Sequence, residues 1–367
     1  MARFLFATWE GGGHVQPMML VARGMAARGH QVLMLSDACN AAEAEALGVP
    51  FRAWRRAPSR PNKDPSTDPL RDWEHKTPME VITGLCDAVI TGPAGRYAAD
   101  VLEALDEFAA DIVVSMELLF GVMAAAEARG VPLAILSSNL WCFPTLPSTP
   151  PFGAGLPLPA DDDARELYEK IAVATRDAYQ TRLPALNAVR DSLGLAPLAD
   201  FFHQLDRARR ILMATSKTFD FGADLPAQFV HVGPYLTDPV WVQPSAPIWS
   251  EEDPTPKVLV SFSTMYQGQD ETLERVIDAL GGLPVKAVVT LGPVLNPEDF
   301  SPPANVHVVK NAPHDPLLAQ AALAINHAGH ASLLRPLMAG VPVLCMPMGR
   351  DQEDNTIRAS TAGAALR

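Results

Sequence analysis

Residues 311–358 read NAPHDPLLAQAALAINHAGHASLLRPLMAGVPVLCMPMGRDQEDNTIR. An Ala312-Pro313-His314 turn leads to a short apolar strand, 322–326, which closes on Asn326-His327. The small residues Ala328-Gly329-His330-Ala331-Ser332 then open a helix. Gly340-Val341-Pro342 introduces a second apolar strand, 341–346, and Asp351-Gln352 with Asn355 starts another helix. Brief apolar runs bounded by Gly and Pro read as buried strands, and strands that alternate with helices demand a parallel sheet. Both strands end in polar residues at a helix start, where unpaired backbone N–H groups and the positive end of the dipole favour an anionic or hydroxyl-rich ligand.

The same alternation extends outward in both directions. Upstream of the quoted stretch lie a strand at 258–262, a helix at 271–280 and strands at 285–291 and 306–309, which makes a domain over 257–367. At the amino end, strand 4–7, Gly11-Gly12-Gly13-His14, a helix over 16–28 closed by Gly29-His30, and strand 31–36 form a βαβ unit with a right-handed crossover. Further strands at 111–115, 133–137, 211–214 and 229–232, with helices at 79–105, 122–129 and 164–193, complete a domain over 1–235. The 34 prolines concentrate at 144–159 and 234–256, and the second cluster predicts a linker over 236–256. The expected fold class is α/β, with two Rossmann-like, doubly wound parallel-sheet domains facing a cleft, ligands sitting at the carboxyl ends of the strands. The chain stops at Arg367 just as 362–366 is about to enter another strand, so the second domain is expected to be truncated at its end.

At 367 residues the chain is long enough for two cores. A net charge of −13 without a Lys/Arg cluster argues against nucleic acid as a partner. Cys39, Cys86, Cys142 and Cys345 form no C-x-x-C pair, so neither a metal cage nor a disulfide framework is indicated, and a reducing cytoplasm fits. No segment approaches eighteen continuous apolar residues, and Glu10 with its glycines interrupts the apolar start before it could act as a signal peptide, so no membrane span is expected. The oligomeric state is not decided, and a homodimer stays open. Asp161-Asp162-Asp163 fits a D-x-D metal pattern but reads as a solvated charge run; no metal and no cofactor are expected.

The quoted stretch resembles the donor-binding signature of family 1 glycosyltransferases, the superfamily of plant UDP-glycosyltransferases and actinobacterial enzymes that decorate antibiotics and macrolides. Taken alone, a His at a strand end is more commonly structural, and Asp-Gln at a helix start is more commonly a cap. Several pieces in order over about fifty residues favour function. The resemblance implies the two-domain GT-B fold and a nucleotide sugar as co-substrate. It implies a diphosphate cradle of Ala312, His314, His327, Gly329, His330, Ala331 and Ser332, joined by Thr264 after the strand at 258–262. It further implies that Asp351 and Gln352 hold hydroxyls of the transferred sugar. Two positions depart from the plant pattern: Asn311 replaces the aromatic residue that stacks on uracil, and Arg335 replaces the Glu that binds the ribose. UDP-hexoses and dTDP-deoxysugars both stay open.

In the first domain, Gly13-His14-Val15-Gln16-Pro17 matches the family's Gly-His-x-x-Pro element, whose His is the general base on the acceptor hydroxyl. A neutral imidazole suits a proton lost only as the new bond forms. A dinucleotide fingerprint would need Gly where Gln16 stands. The carboxylate that relatives place behind the base falls at Met116, with Glu117 next to it. Neighbours on a strand face opposite ways, so Glu117 completes the pair only through a bulge or its longer arm. Trp9, Trp54, Trp141 and Phe143, in loops expected at the cleft, are candidate contacts for a hydrophobic small-molecule acceptor, with packing in the core as the alternative. The reading is an inverting, metal-independent transfer to a hydroxyl of a natural product. Its rivals are a non-catalytic helper of a true transferase, a lipid-directed transferase, or a sugar-nucleotide epimerase on the same fold.

Overall fold

The computed structural model describes residues 1–146, 149–222, 225–242 and 247–367. The chain divides into two compact units, Met1–Asn62 with Ser66–Pro151 and Leu158–Gly233, and Lys63–Pro65 with Phe152–Pro157 and Pro234–Arg367. The segment read as a linker, 236–256, thus lies with the second unit, and its residues 243–246, like 147–148 of the first proline cluster, fall outside the described residues.

In the first unit β1 (Arg3–Ala7), β2 (Gln31–Ser36), β3 (Phe51–Ala53), β4 (Ile112–Ser115), β5 (Leu133–Ser137), β6 (Arg210–Met213) and β7 (Phe229–His231) form one sheet. Its order is β3-β2-β1-β4-β5-β6-β7 and every pairing is parallel. The helices are α1 (Val15–Ala27), α2 (Ala41–Ala46), α3 (Pro78–Leu85), α4 (Ala94–Phe108), α5 (Phe120–Ala128), α6 (Asp162–Gln180) and α7 (Leu183–Ser192). In the second unit β8 (Lys257–Ser261), β9 (Lys286–Thr290), β10 (Val306–Val309), β11 (Leu323–Asn326), β12 (Val343–Cys345) and β13 (Ala365–Leu366) run β10-β9-β8-β11-β12-β13, again all parallel. Its helices are α8 (Asp270–Gly281), α9 (His314–Leu318), α10 (His330–Met338) and α11 (Gln352–Thr361).

Parallel strands covered on both faces need near-continuous apolar sequence, and β8, KVLVS, is buried at every position. Val260, Leu273, Ile277, Val289 and Ile325 from three strands and α8 form the centre of the second core. Each sheet reverses its strand order at one point, between β1 and β4 in the first and between β8 and β11 in the second, and such points leave a crevice beyond the strand ends.

Several expected elements are divided or added. The helix read over 79–105 is α3, a π-helical turn Cys86–Ile90, and α4. Pro93 carries no N–H to continue the ladder, and a Cβ on Gly92 would lie 2.0 Å from the Asp87 carbonyl oxygen. The helix read over 164–193 is α6 and α7, with Pro184 in the first turn of the latter. Strand β3, three residues long, is too short to carry a periodic signal. Asp161 caps α6 by accepting from the Ala164 N–H at 2.8 Å, which gives the acidic run a helix-starting role. Among the described residues no helix is long and apolar enough to cross a membrane.

Candidate active site

The first unit brings His14 and Glu117 together at its reversal point. Ala7 at the end of β1 pairs with Ser115 at the end of β4, so the segments leaving these two strands emerge side by side. His14 precedes α1 on the first segment and Glu117 lies in the turn after β4; His14 Nε2 stands 3.4 Å from Glu117 Oε1, with both side chains largely buried. Because Glu117 sits past the end of the strand, strand alternation does not dictate its direction. Met116 turns its sulfur to the segment leaving β1, accepting from the Trp9 N–H at 3.4 Å and the Thr8 hydroxyl at 3.7 Å. The Ser137 hydroxyl at the end of β5 donates to Glu117 Oε1 at 3.2 Å. His14 makes no side-chain cap bond to α1.

The turn that carries His14 is braced from several sides. Asp37, just past β2, accepts from the backbone N–H of Glu10 and of Arg60, both at 2.8 Å. Burial raises its carboxyl to about 7, against those two backbone donors. Glu10 Oε1 in turn accepts from the Gly12 N–H at 3.1 Å, and the Trp54 indole donates to the Thr8 carbonyl at 3.0 Å. Gly11 is required by close approach: a Cβ there would lie 2.6 Å from the Trp9 ring. The sequence reading did not find Asp37, because one acidic residue after a strand carries no spacing signal.

The four aromatic residues read as acceptor contacts pack inside the first unit. Trp9, Trp54, Trp141 and Phe143 are at most 7 % exposed. Trp54 lies edge-on to Tyr97, and Trp141 and Phe143 pack on each other and on Phe229, Phe120, Tyr179 and Phe202. They pack in the core of the unit, the second of the two readings stated above.

In the second unit the reversal point lies between β8 and β11, where Ser261 pairs with Asn326. His327 follows β11, buried, its ring stacked on Phe262 at 6.2 Å between centroids. Burial lowers the imidazole to about 4, the Arg350 charge pushing the same way and Asp351 and a backbone hydrogen bond with Ser261 opposing, so the ring is neutral at pH 7. Its Nδ1 is buried without a hydrogen-bond partner among the described residues. The glycine of the motif has a steric reason, since a Cβ on Gly329 would lie 2.4 Å from His327 Nε2. Ala328 takes a left-handed φ of 62°, held by its N–H donating to Asn326 Oδ1 at 2.8 Å. Gly329 then caps α10, whose first turn holds His330, Ala331 and Ser332 with His330 buried and Ala331 exposed. Thr264 is exposed in the turn after β8.

Asn355 ties α10 to α11. Its Nδ2 donates to the Ala328 carbonyl at 2.9 Å and to Asp351 Oδ2 at 2.7 Å, and its Oδ1 lies 3.5 Å from His330 Nδ1. The Gln352 side chain accepts from the Met348 N–H at 2.7 Å and donates to Gln267 at 2.8 Å, so its carboxamide is locked in one orientation. Arg350, at a left-handed φ of 58°, brings a cation beside Asp351 and His327. Neither Arg350 nor Gln267 was singled out from sequence; both depend on tertiary placement.

His314 and Arg335 are held in a different network. His314 Nε2 lies 3.1 Å from the Thr290 hydroxyl, and burial lowers this imidazole to about 4. Arg335 donates through both terminal nitrogens to Asp238, and its Nε donates to Asp315 at 2.9 Å. Ala312, read with the diphosphate group, is buried beside them in sequence. Among the described residues no group of three or more His, Cys, Asp or Glu side chains is placed to hold a metal ion.

The family described as "UDP-glucoronosyl and UDP-glucosyl transferase" matches residues 254–367. Over its whole length the chain is 28 % identical to 4'-demethylrebeccamycin synthase of Lentzea aerocolonigenes, covering 87 % of that protein. Demethyllactenocin mycarosyltransferase of Streptomyces fradiae is 24 % identical over 95 % of this chain and 71 % of its own. Among solved structures, the kitacinnamycin glycotransferase superposes with a TM-score of 0.72 at 19 % identity, covering 100 % of this chain and 86 % of that one. The carboxyl-terminal part of the chain thus matches the UDP-glucoronosyl and UDP-glucosyl transferase family, the whole chain is similar to actinobacterial antibiotic glycosyltransferases, and its fold is the GT-B fold.

Proposed function

We propose that this glycosyltransferase moves a sugar from a nucleoside diphosphate sugar to a hydroxyl of a hydrophobic natural product, with inversion at the anomeric carbon and without a divalent metal. The observation that carries the reading is the 3.4 Å approach of His14 to Glu117 where β1 and β4 diverge. With Nε2 turned to the carboxylate, the other ring nitrogen receives the proton of the acceptor hydroxyl as its oxygen bonds to the anomeric carbon. The bond from that carbon to the diphosphate breaks on the opposite face and the nucleoside diphosphate leaves with the electron pair. Glu117 stabilises the imidazolium that results. Transfer requires the activated oxygen to meet the anomeric carbon of a donor held by the second unit.

There, the neutral His327 turns its single N–H from Ser261 to the diphosphate, and Ser332, Thr264 and the first-turn N–H groups of α10 take the growing charge. Asp351 and Gln352 orient the sugar hydroxyls. Arg335, bound to two carboxylates, cannot accept from a ribose 2′-hydroxyl. That favours thymidine diphosphate as the leaving group. The test is thermal stabilisation by dTDP against UDP, followed by a search for glycosylated product with phenolic and macrocyclic acceptors. A ligand at a hundred times its Kd adds about 2.7 kcal/mol. Stabilisation by UDP and not by dTDP removes the donor assignment; turnover of donor without any glycoside removes the acceptor class.

A further inference from the structure

Asp354 is a buried carboxylate in the first turn of α11, 2 % exposed, that the chemistry above leaves unused. Its Oδ2 accepts from the Gly153 N–H at 2.5 Å and its Oδ1 from the Gly155 N–H at 3.0 Å. Those glycines belong to Phe152–Pro157, a short strap that packs with the second unit although the chain on either side of it, through Pro151 and from Leu158, belongs to the first. Both glycines take left-handed φ values, 81° and 60°. A Cβ on Gly155 would lie 2.9 Å from the Cβ of Glu353, so the strap rests directly on the start of α11. Asp354 follows Asp351 by three residues, which puts the two on one face of the helix. Along the strap, Phe152 and Ala154 are exposed.

Resting on the proposed function above, we infer that Asp354 is a positioning residue that clamps the strap Phe152–Pro157 beside Asp351, making the strap a wall of the transferred-sugar subsite and a determinant of which sugar is accepted. A carboxylate kept this dry is costly unless hydrogen-bonded. Burial raises Asp354 to about 6, and the two strap N–H groups, with Arg358, are what oppose that rise. The exposed Phe152 ring gives the strap an apolar surface of the kind that packs on deoxygenated sugar faces. The clamp's two hydrogen bonds involve none of the residues read as binding the diphosphate, so breaking them should separate sugar affinity from nucleotide affinity.

The experiment is calorimetric titration of dTDP, UDP, dTDP-glucose and UDP-glucose into the wild-type protein and into Asp354→Ala, Gly155→Ala and the double variant. Asp354→Ala removes the acceptors, and Gly155→Ala attacks the same clamp from the strap, so the failure of one variant to fold leaves the other. The expected result is a nucleotide-sugar Kd weakened about tenfold in each single variant, with the nucleoside diphosphate Kd within about twofold of wild type. The double variant should be no weaker than the worse single one, because both break one contact. Asp354→Asn, which keeps one acceptor oxygen, should recover part of the loss. Sugar and nucleotide affinities that fall together, affinities that do not change, or losses that multiply in the double variant would each overturn the inference. A wild-type protein that binds neither diphosphate would overturn the proposed function, and the strap's role with it.

Discussion

Replacing Glu117 by Gln keeps the volume and leaves the Ser137 hydrogen bond possible, but removes the charge beside His14. In the ground state the imidazole is the proton acceptor and the loss is small. At the transition state the ring becomes cationic, 3.4 Å from where the carboxylate stood. Two unit charges at about 4 Å in an effective dielectric of about 20 attract by about 4 kcal/mol. The Gln carbonyl dipole retains part of that, leaving a loss of about 3 kcal/mol, which is about two orders of magnitude in kcat. The assay is steady-state release of nucleoside diphosphate from saturating donor and a phenolic acceptor, with donor KM and thermal stability measured alongside. Donor KM should hold, since Glu117 lies in the first unit and the donor motifs in the second. A kcat within about threefold of wild type, in a variant as stable as the parent, would refute the pairing of the two residues.

Removing the imidazole altogether, His14→Ala, should lower turnover by about two to four orders of magnitude, the range for loss of a general base, with the nucleotide still bound in a thermal-shift assay. Asn355→Leu strands the Ala328 carbonyl and one Asp351 oxygen; it should cost about 1–3 kcal/mol for each group left unpaired, visible as a lower Tm, and weaken dTDP and dTDP-sugar binding alike. His327 is held at about 4 against an ordinary 6.5, so its stabilising contribution is fully present above 6.5 and is lost as pH falls toward 4. Against a His327→Gln variant measured in parallel, the wild type should therefore lose about 2 kcal/mol between pH 7.5 and 5, from the 1.5 units below 6.5 at about 1.4 kcal/mol each, and equal slopes in the two denaturation series would refute the neutral, buried assignment.

The parallel α/β class was legible because β1, β2, β5, β8 and β11 are short apolar runs, each followed within a few residues by Gly or a polar turn. Element existence came through better than division: 79–105 reads as one helical stretch, while the close approach of the Asp87 carbonyl, which leaves room only for Gly at 92 just before Pro93, is a feature that periodicity does not record. Of the candidate site, a residue crowded by its neighbour was readable by type, as with Gly329 against the His327 ring. The placement of Glu117 was not. Strand alternation argued against it, and only the end of β4 at Ser115 releases it from that rule. The aromatic candidates Trp9, Trp54, Trp141 and Phe143 share composition with ligand-binding loops and with aromatic cores, and sequence has no means of separating the two before packing is known. Asp37, Arg350 and Asp354 act through contacts with distant segments and leave no local pattern.

The most direct test of the account is the anomeric configuration of the product. With an α-linked nucleoside diphosphate sugar and a hydroxylated aromatic acceptor, proton NMR should show a β-glycoside formed in step with nucleoside diphosphate, and should show it lost when His14 is replaced by Ala. An α-glycoside, or a β-glycoside formed equally well without His14, would contradict in-line displacement driven by that base.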